Sequence, residues 1–210
     1  MKVLYITANP KAVEYSHSLS VGEEFLKEYK NNNKDDEIVK IDLFETDVPN
    51  IDYDVMDAWG KLAKGVTFDQ LTQTEQSKLG AMNQNLEEFM NADKYVFVTP
   101  LWNFGLPPVL KAYIDNLLIS GKTFRYSETG PLGLLNNKKS LVIQASGGVY
   151  TNDAMKEYEH GSNFLKVPLN FIGISDQHQI LVEGVNMSND NGMSIREESI
   201  KQAKDIAKVF

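Results

Sequence analysis

The 210-residue chain contains no cysteine. That absence removes thiolate nucleophiles, disulfides, iron–sulfur clusters and cysteine-held zinc from the available chemistry, and it fits a reducing compartment. Arginine is almost missing as well, with only Arg125 and Arg196. A formal charge of -8 argues against nucleic acid or an anionic membrane as the main partner. No stretch approaches the ~18 consecutive apolar residues that span a bilayer. The opening Met1–Ile6 run lacks the long apolar region and small-residue cleavage site of a signal peptide, so a cytoplasmic protein is expected. Three histidines occur, and His160 and His178 have no ligand-like spacing; no metal is expected. A chain of this length buries enough surface, roughly 70% of what its unfolded form exposes, to fold as one domain over residues 1–210 without staples.

Hydrophobic patterning gives an alternating α/β order. Lys2–Thr7 reads as a strand ending at Ala8-Asn9-Pro10, and a helix follows Ser16-His17-Ser18-Leu19-Ser20, with Ser20 and Glu23 spaced as a capping box. Val39, Ile41 and Leu43 alternate with polar residues in a second, half-exposed strand. Residues 47–72 are too long for an ordinary connection and are expected to carry a helix. Thr72 and Glu75 open an amphipathic helix through Met90, and Tyr95–Val98 forms a third strand. Pro107-Pro108 suits the first turn of a helix that Gly121 should end. Thr123–Pro131 is a small excursion, Leu141–Ile143 a fourth strand, and His178–Val182 a fifth. A last helix should start at a Ser194/Glu197 capping box. Strands three and four are apolar throughout, as in a parallel sheet covered on both faces. The expected fold is a doubly wound α/β sheet of five parallel strands, order 2-1-3-4-5, with helices on both faces and ligands at the carboxyl ends of strands one, three and four.

Three loops therefore carry the functional reading. The first, Thr7 to Ser18, has no glycine, which excludes the dinucleotide fingerprint and the P-loop. It offers Asn9, Ser16, His17 and Ser18 at a helix N-terminus, a setting that suits a phosphate monoester; taken alone, serines there fit simple capping equally well. The second loop displays Pro100, Leu101, Trp102, Asn103 and Phe104. Its aromatics suit a flat ring, with backbone groups for the ring's polar edge, the alternative being that both rings are core. In the third, Ala145-Ser146-Gly147-Gly148 lets main chain approach a ligand and Tyr150 lie over it, although an ordinary Gly-Gly turn reads the same way. A phosphate at one end and a flat heteroaromatic ring at the other is the layout of flavin mononucleotide, FMN.

The sequence resembles the FMN-dependent NADH:quinone oxidoreductases known as azoreductases, of the flavodoxin-like fold, especially their Bacillus-type members. The likeness rests on Val3–Ala8, Ser16-x-Ser18, Lys94–Pro100, Trp102-Asn103-Phe104, Pro107–Asp115, Gly121–Phe124, Gly130-Pro131 and Ala145–Gly148. The resemblance implies tightly but non-covalently bound FMN, NADH as electron donor, and quinones or azo compounds as acceptors. Reduction would take place by ping-pong two-electron hydride transfer, with no catalytic side chain demanded. It further implies that Asn9 and Ser16 to Ser18 hold the phosphate, that Leu101 to Phe104 line the ring, and that Ala145 to Gly148 touch its pyrimidine side. Members often carry Met at position 101 and Arg at position 146; Ser146 therefore removes a fixed positive group. A homodimer is implied, with Phe171 and, through the 47–72 segment, Trp59 reaching the neighbouring subunit's pocket. Two other functions share this topology. A flavodoxin-type carrier passes single electrons and does not oxidise NADH. A response-regulator domain needs an acidic cluster where this chain has Ala8-Asn9-Pro10 and Pro100-Leu101-Trp102.

Overall fold

In the computed structural model, which describes residues 1–210, the strands β1 (Lys2–Thr7), β2 (Glu37–Asp42), β3 (Lys94–Pro100), β6 (Lys139–Ala145) and β7 (Asp176–Val182) form one sheet. Its order is β2-β1-β3-β6-β7 and every pairing is parallel. Counted by position within the sheet this is the expected 2-1-3-4-5. The Thr123–Pro131 excursion accounts for the difference in numbering: it forms a separate antiparallel ribbon of β4 (Phe124–Ser127) and β5 (Gly130–Gly133).

Alternation along the strands builds two cores. Val3, Tyr5, Val96, Val98, Leu141 and Ile143 face the helices α1 (His17–Asn32) and α6 (Met193–Ala207). Leu4, Ile6, Tyr95, Phe97 and Val142 face α3 (Gln73–Met90), α4 (Pro108–Leu117) and α5 (Ser162–Phe171). A strand buried on both faces has no polar side to display, which is why β3 reads as an unbroken apolar run. The 47–72 segment does contain a helix, α2 (Tyr53–Ala63), whose Val55 and Ala58 pack on Leu79 and Met82 of α3 as a third, small cluster.

Helix ends differ from the spacing rules in three places. Ser16, not Ser20, caps α1 by accepting the Leu19 N–H at 3.2 Å; Ser20 Oγ instead donates to the Val13 carbonyl at 2.7 Å. Helix α4 ends at Leu117 rather than Gly121, because Thr123 Oγ1 donates to the Leu117 carbonyl at 2.7 Å while Gly121, at φ 83°, makes the following turn. At α6 no Ser194/Glu197 box forms: Gly192, at φ 77°, precedes the helix and Asp190 Oδ2 accepts the Ser194 N–H at 2.9 Å. The Thr72/Glu75 box and the Pro107-Pro108 start are both present.

Candidate functional site

Parallel pairing carries β1, β3 and β6 to a common rim, with Thr7 beside Val98 and Pro100 beside Ala145. The three following loops enclose a cavity of about 230 Å³. The first supplies Asn9, Ser16, His17 and Ser18, together with Lys11 and Tyr15. From the second come Pro100, Leu101 and Trp102, and from the third Ala145, Ser146 and Gly147.

At the first loop a hydrogen-bonded triad is buried. Asn9 Nδ2 donates to Ser16 Oγ at 2.8 Å, and the Ser16 and Ser18 hydroxyls lie 3.2 Å apart. Ser16 Oγ also accepts from Leu19 N, and Ser18 Oγ lies 3.5 Å from Asn9 Nδ2. Every other contact of the pair is with a donor, so of the two hydroxyl protons at most one is used between them. The second has no acceptor in the protein. His17 and Ser18 open α1, where the first N–H groups have no intrahelical partner and the helix dipole is positive. His17 Nδ1 is buried without a partner. Burial, Arg196 and Lys11 together hold this imidazole below its ordinary pKa, so it is neutral at pH 7. The corner as a whole is built of donors and positive potential.

The second loop is a two-residue reversal. Trp102 and Gly105 exchange both backbone hydrogen bonds at 2.9 Å, and Asn103 and Phe104 sit at φ 47° and 70°. Two successive left-handed residues define a type I′ turn, for which Asn suits the first position and glycine the second. Phenylalanine at the second is strained, on the order of 1 kcal/mol or more. The strain is held from outside the turn, since the Phe104 carbonyl accepts the His160 N–H at 2.9 Å. Trp102 and Phe104 are 39% and 47% exposed, so neither is core. Trp102 faces the cavity and packs near Phe44, whereas Phe104 turns to Tyr150 and Tyr158, with ring centroids 6.3 and 5.8 Å away.

The third loop is braced by a segment that sequence reasoning did not single out, 182–186. Ser146 N donates to the Val182 carbonyl, Val185 N to that of Ser146, and Asn186 N to that of Gly147. Val185 and Asn186 thereby become cavity wall. A Cβ on Gly147 would lie 2.5 Å from Asn186 Nδ2, so that position accepts no larger residue without displacing the wall. Behind it, Gln144 donates to the buried Glu159 at 2.9 Å. Burial raises the Glu159 pKa, but hydrogen bonds from Gln144, Asn163 and Ser162 outweigh it and hold the carboxyl below its usual range. The same carboxylate caps α5.

Ten of the sequence-derived residues thus converge on one cavity, while Asn103, Phe104, Gly148 and Tyr150 stand just outside it. Trp59 packs on the α2–α3 cluster, and Phe171 lies 4.7 Å from Phe124 beside a surface hollow of about 570 Å³. Neither lines the cavity of its own chain. Lys11, Tyr15, Val185, Asn186 and Tyr158 are the additions. Lys11 and Tyr15 belong to the first loop itself, whereas the others depend on contacts distant in sequence.

Residues 1–207 match the protein family described as Flavodoxin-like fold. The chain is 54% identical over 209 residues to FMN-dependent NADH:quinone oxidoreductase 3 of Bacillus cereus, covering 100% of this chain and 99% of that protein. It is 45% identical to FMN-dependent NADH:quinone oxidoreductase 2 of Bacillus subtilis (strain 168), with the same coverage. A crystal structure of an FMN-dependent NADH-azoreductase from Bacillus anthracis str. Ames Ancestor in complex with FMN superposes with a TM-score of 0.93 at 37% identity, over 99% of this chain and 98% of that one. Fold, loop geometry and similarity over the full length agree: the chain belongs to the flavodoxin-like family and, within it, to the FMN-dependent NADH:quinone oxidoreductases.

Proposed function

We propose that the chain is a single FMN-binding domain that oxidises NADH and reduces quinones and azo compounds by two-electron transfer. The uncommitted hydroxyl proton of the Ser16–Ser18 pair, buried at the N-terminus of α1, is the observation that carries this reading. It fits a terminal phosphate, which presents only acceptors. At the other end, Gly147 and the Asn186 side chain packed against it offer polar groups, and Trp102 offers a flat apolar face, which suits a fused heteroaromatic ring and its polar edge.

FMN, when bound, supplies the hydride chemistry, accepting from a nicotinamide and donating to an oxidant. The protein's part is placement. Asn9, Ser16 and Ser18 fix the phosphate end, and Leu101 and Trp102 wall the ring. Beyond the cavity the half-exposed Phe104 ring, with Tyr150 edge-on and Tyr158 tilted against it, forms an aromatic shelf on which a planar donor or acceptor packs. A single stacking position that serves both half-reactions in turn fits a ping-pong cycle. No catalytic side chain is assigned, because the hydride chemistry belongs to the flavin. A homodimer, with Trp59 and Phe171 directed to the partner, and a cytoplasmic location complete the reading. Identity to relatives named for NADH and quinone favours this over a single-electron carrier.

The test is anaerobic addition of NADH to the flavin-loaded protein. The expected result is loss of the yellow colour without any protein partner, and its return when a quinone is added. Protein that stays yellow is a carrier, and the enzymatic reading falls.

The strained turn gives a second test. Replacing Phe104 with glycine relaxes the left-handed position while removing one ring of the shelf. Melting temperature should hold or rise, and quinone kcat/KM should fall about fivefold, as expected for one lost aromatic contact. A lower melting temperature with unchanged kinetics would assign that ring to packing alone.

A further inference from the structure

We infer that Arg196 and Lys11 supply the fixed positive charge that compensates the cofactor phosphate and makes this site prefer FMN to riboflavin; the inference rests on the reading of the cavity given above. A phosphate monoester carries close to two negative charges at neutral pH, and this chain is itself at -8. The hydroxyls of Ser16 and Ser18 donate hydrogen bonds but bring no charge. Cations are needed nearby, and the chain has only two arginines.

One of them is delivered to this corner by the last helix. Gly192 precedes α6 at φ 77°, and a Cβ on it would lie 3.0 Å from His17 Cε1; the start of α6 is therefore pressed against the start of α1. Arg196, in the first turns of α6, reaches back so that Nη1 lies 3.4 Å from Ser20 Oγ of α1. Lys11 lines the cavity, its backbone N–H held by Asn9 Oδ1 at 3.1 Å. Neither cation is in an ion pair with a carboxylate of the chain. Lys11 thus stands in the cavity wall, and Arg196 stands at Ser20, one turn along α1 from the buried hydroxyl pair, so both are placed to add positive potential to the site. Both cations lie within electrostatic reach of His17, where with burial they lower the imidazole pKa. With serine at position 146, the third loop brings no cation of its own to the cavity.

The test measures dissociation constants of FMN and riboflavin for the full chain by flavin fluorescence quenching, at low and at physiological ionic strength. Arg196→Gln and Lys11→Gln should each weaken FMN about fivefold, more at low salt, while riboflavin changes less than about twofold. Arg196→Lys, which keeps the charge, should restore most of the loss. The control Lys201→Gln, farther along α6, should leave the FMN to riboflavin ratio unchanged. Equal weakening of both flavins would overturn the inference by making Arg196 a brace between α1 and α6. Unchanged binding, an equal effect from Lys201→Gln, or wild-type protein that holds riboflavin as tightly as FMN would overturn it too. Wild-type protein that binds neither flavin would instead remove the functional reading itself.

Discussion

Alanine at both Ser16 and Ser18 is expected to weaken FMN binding by about 10- to 150-fold. A hydrogen bond to a charged group contributes about 1.5 to 3 kcal/mol, and the pair has one uncommitted proton to give. Riboflavin, lacking the phosphate, should lose less than about fivefold, because the double substitution leaves the ring end intact. Ser16 also caps α1, and losing a cap costs about 1 kcal/mol of stability. Ser18 caps nothing, so Ser18→Ala alone separates the two effects: affinity for FMN falls while melting temperature stays. Parallel losses for FMN and riboflavin would mean that the pair serves the helix and not the phosphate.

Gly133→Ala is expected to cost the most stability of any single methyl addition in the fold. A Cβ there meets the backbone of Ile172 and Gly173, with Gly173 Cα at 2.7 Å. No side chain can rotate away, since the obstacle is the turn after α5, where Gly173 sits at φ 107° and the Ile172 carbonyl accepts the Leu135 N–H at 2.8 Å. The ribbon of β4 and β5 must lift off that turn. Overpacking against backbone costs about 3 kcal/mol or more, which lowers the melting temperature of a chain this size by about 6 to 12 °C. The affected contact is remote from the cavity, so the protein that remains folded should keep its flavin. A shift of less than about 2 °C would show that the ribbon is loosely seated.

What the sequence displayed and what it hid follow from how local each feature is. The buried strands were legible because a doubly covered strand has no polar face, and TPLWNFGLPP was legible as a display because its prolines mark the end of one element and the start of the next, with aromatic residues between them. Its turn type was not, since Phe104 occupies a conformation that its side chain disfavours and that the His160 contact enforces from 56 positions away (160 minus 104). Ser16, Ser18 and Ser20 offered equivalent caps; Asn9, seven residues upstream, settles the choice by donating to Ser16. Helix α5 was missed because Pro168 interrupts its pattern and its cap is the carboxylate of Glu159 rather than a serine or aspartate next to the first turn. Asn186 and Val185 belong to the wall only through backbone pairing with the 146–147 loop, which no local pattern encodes.

The most direct measurement is a titration of the flavin-free full chain with FMN, followed by fluorescence quenching and by the visible spectrum of the desalted product. Saturation at one FMN per chain, with yellow colour retained after desalting, is the predicted result. A chain that neither quenches FMN nor carries colour through the column would contradict a cavity shaped by three loops for that cofactor.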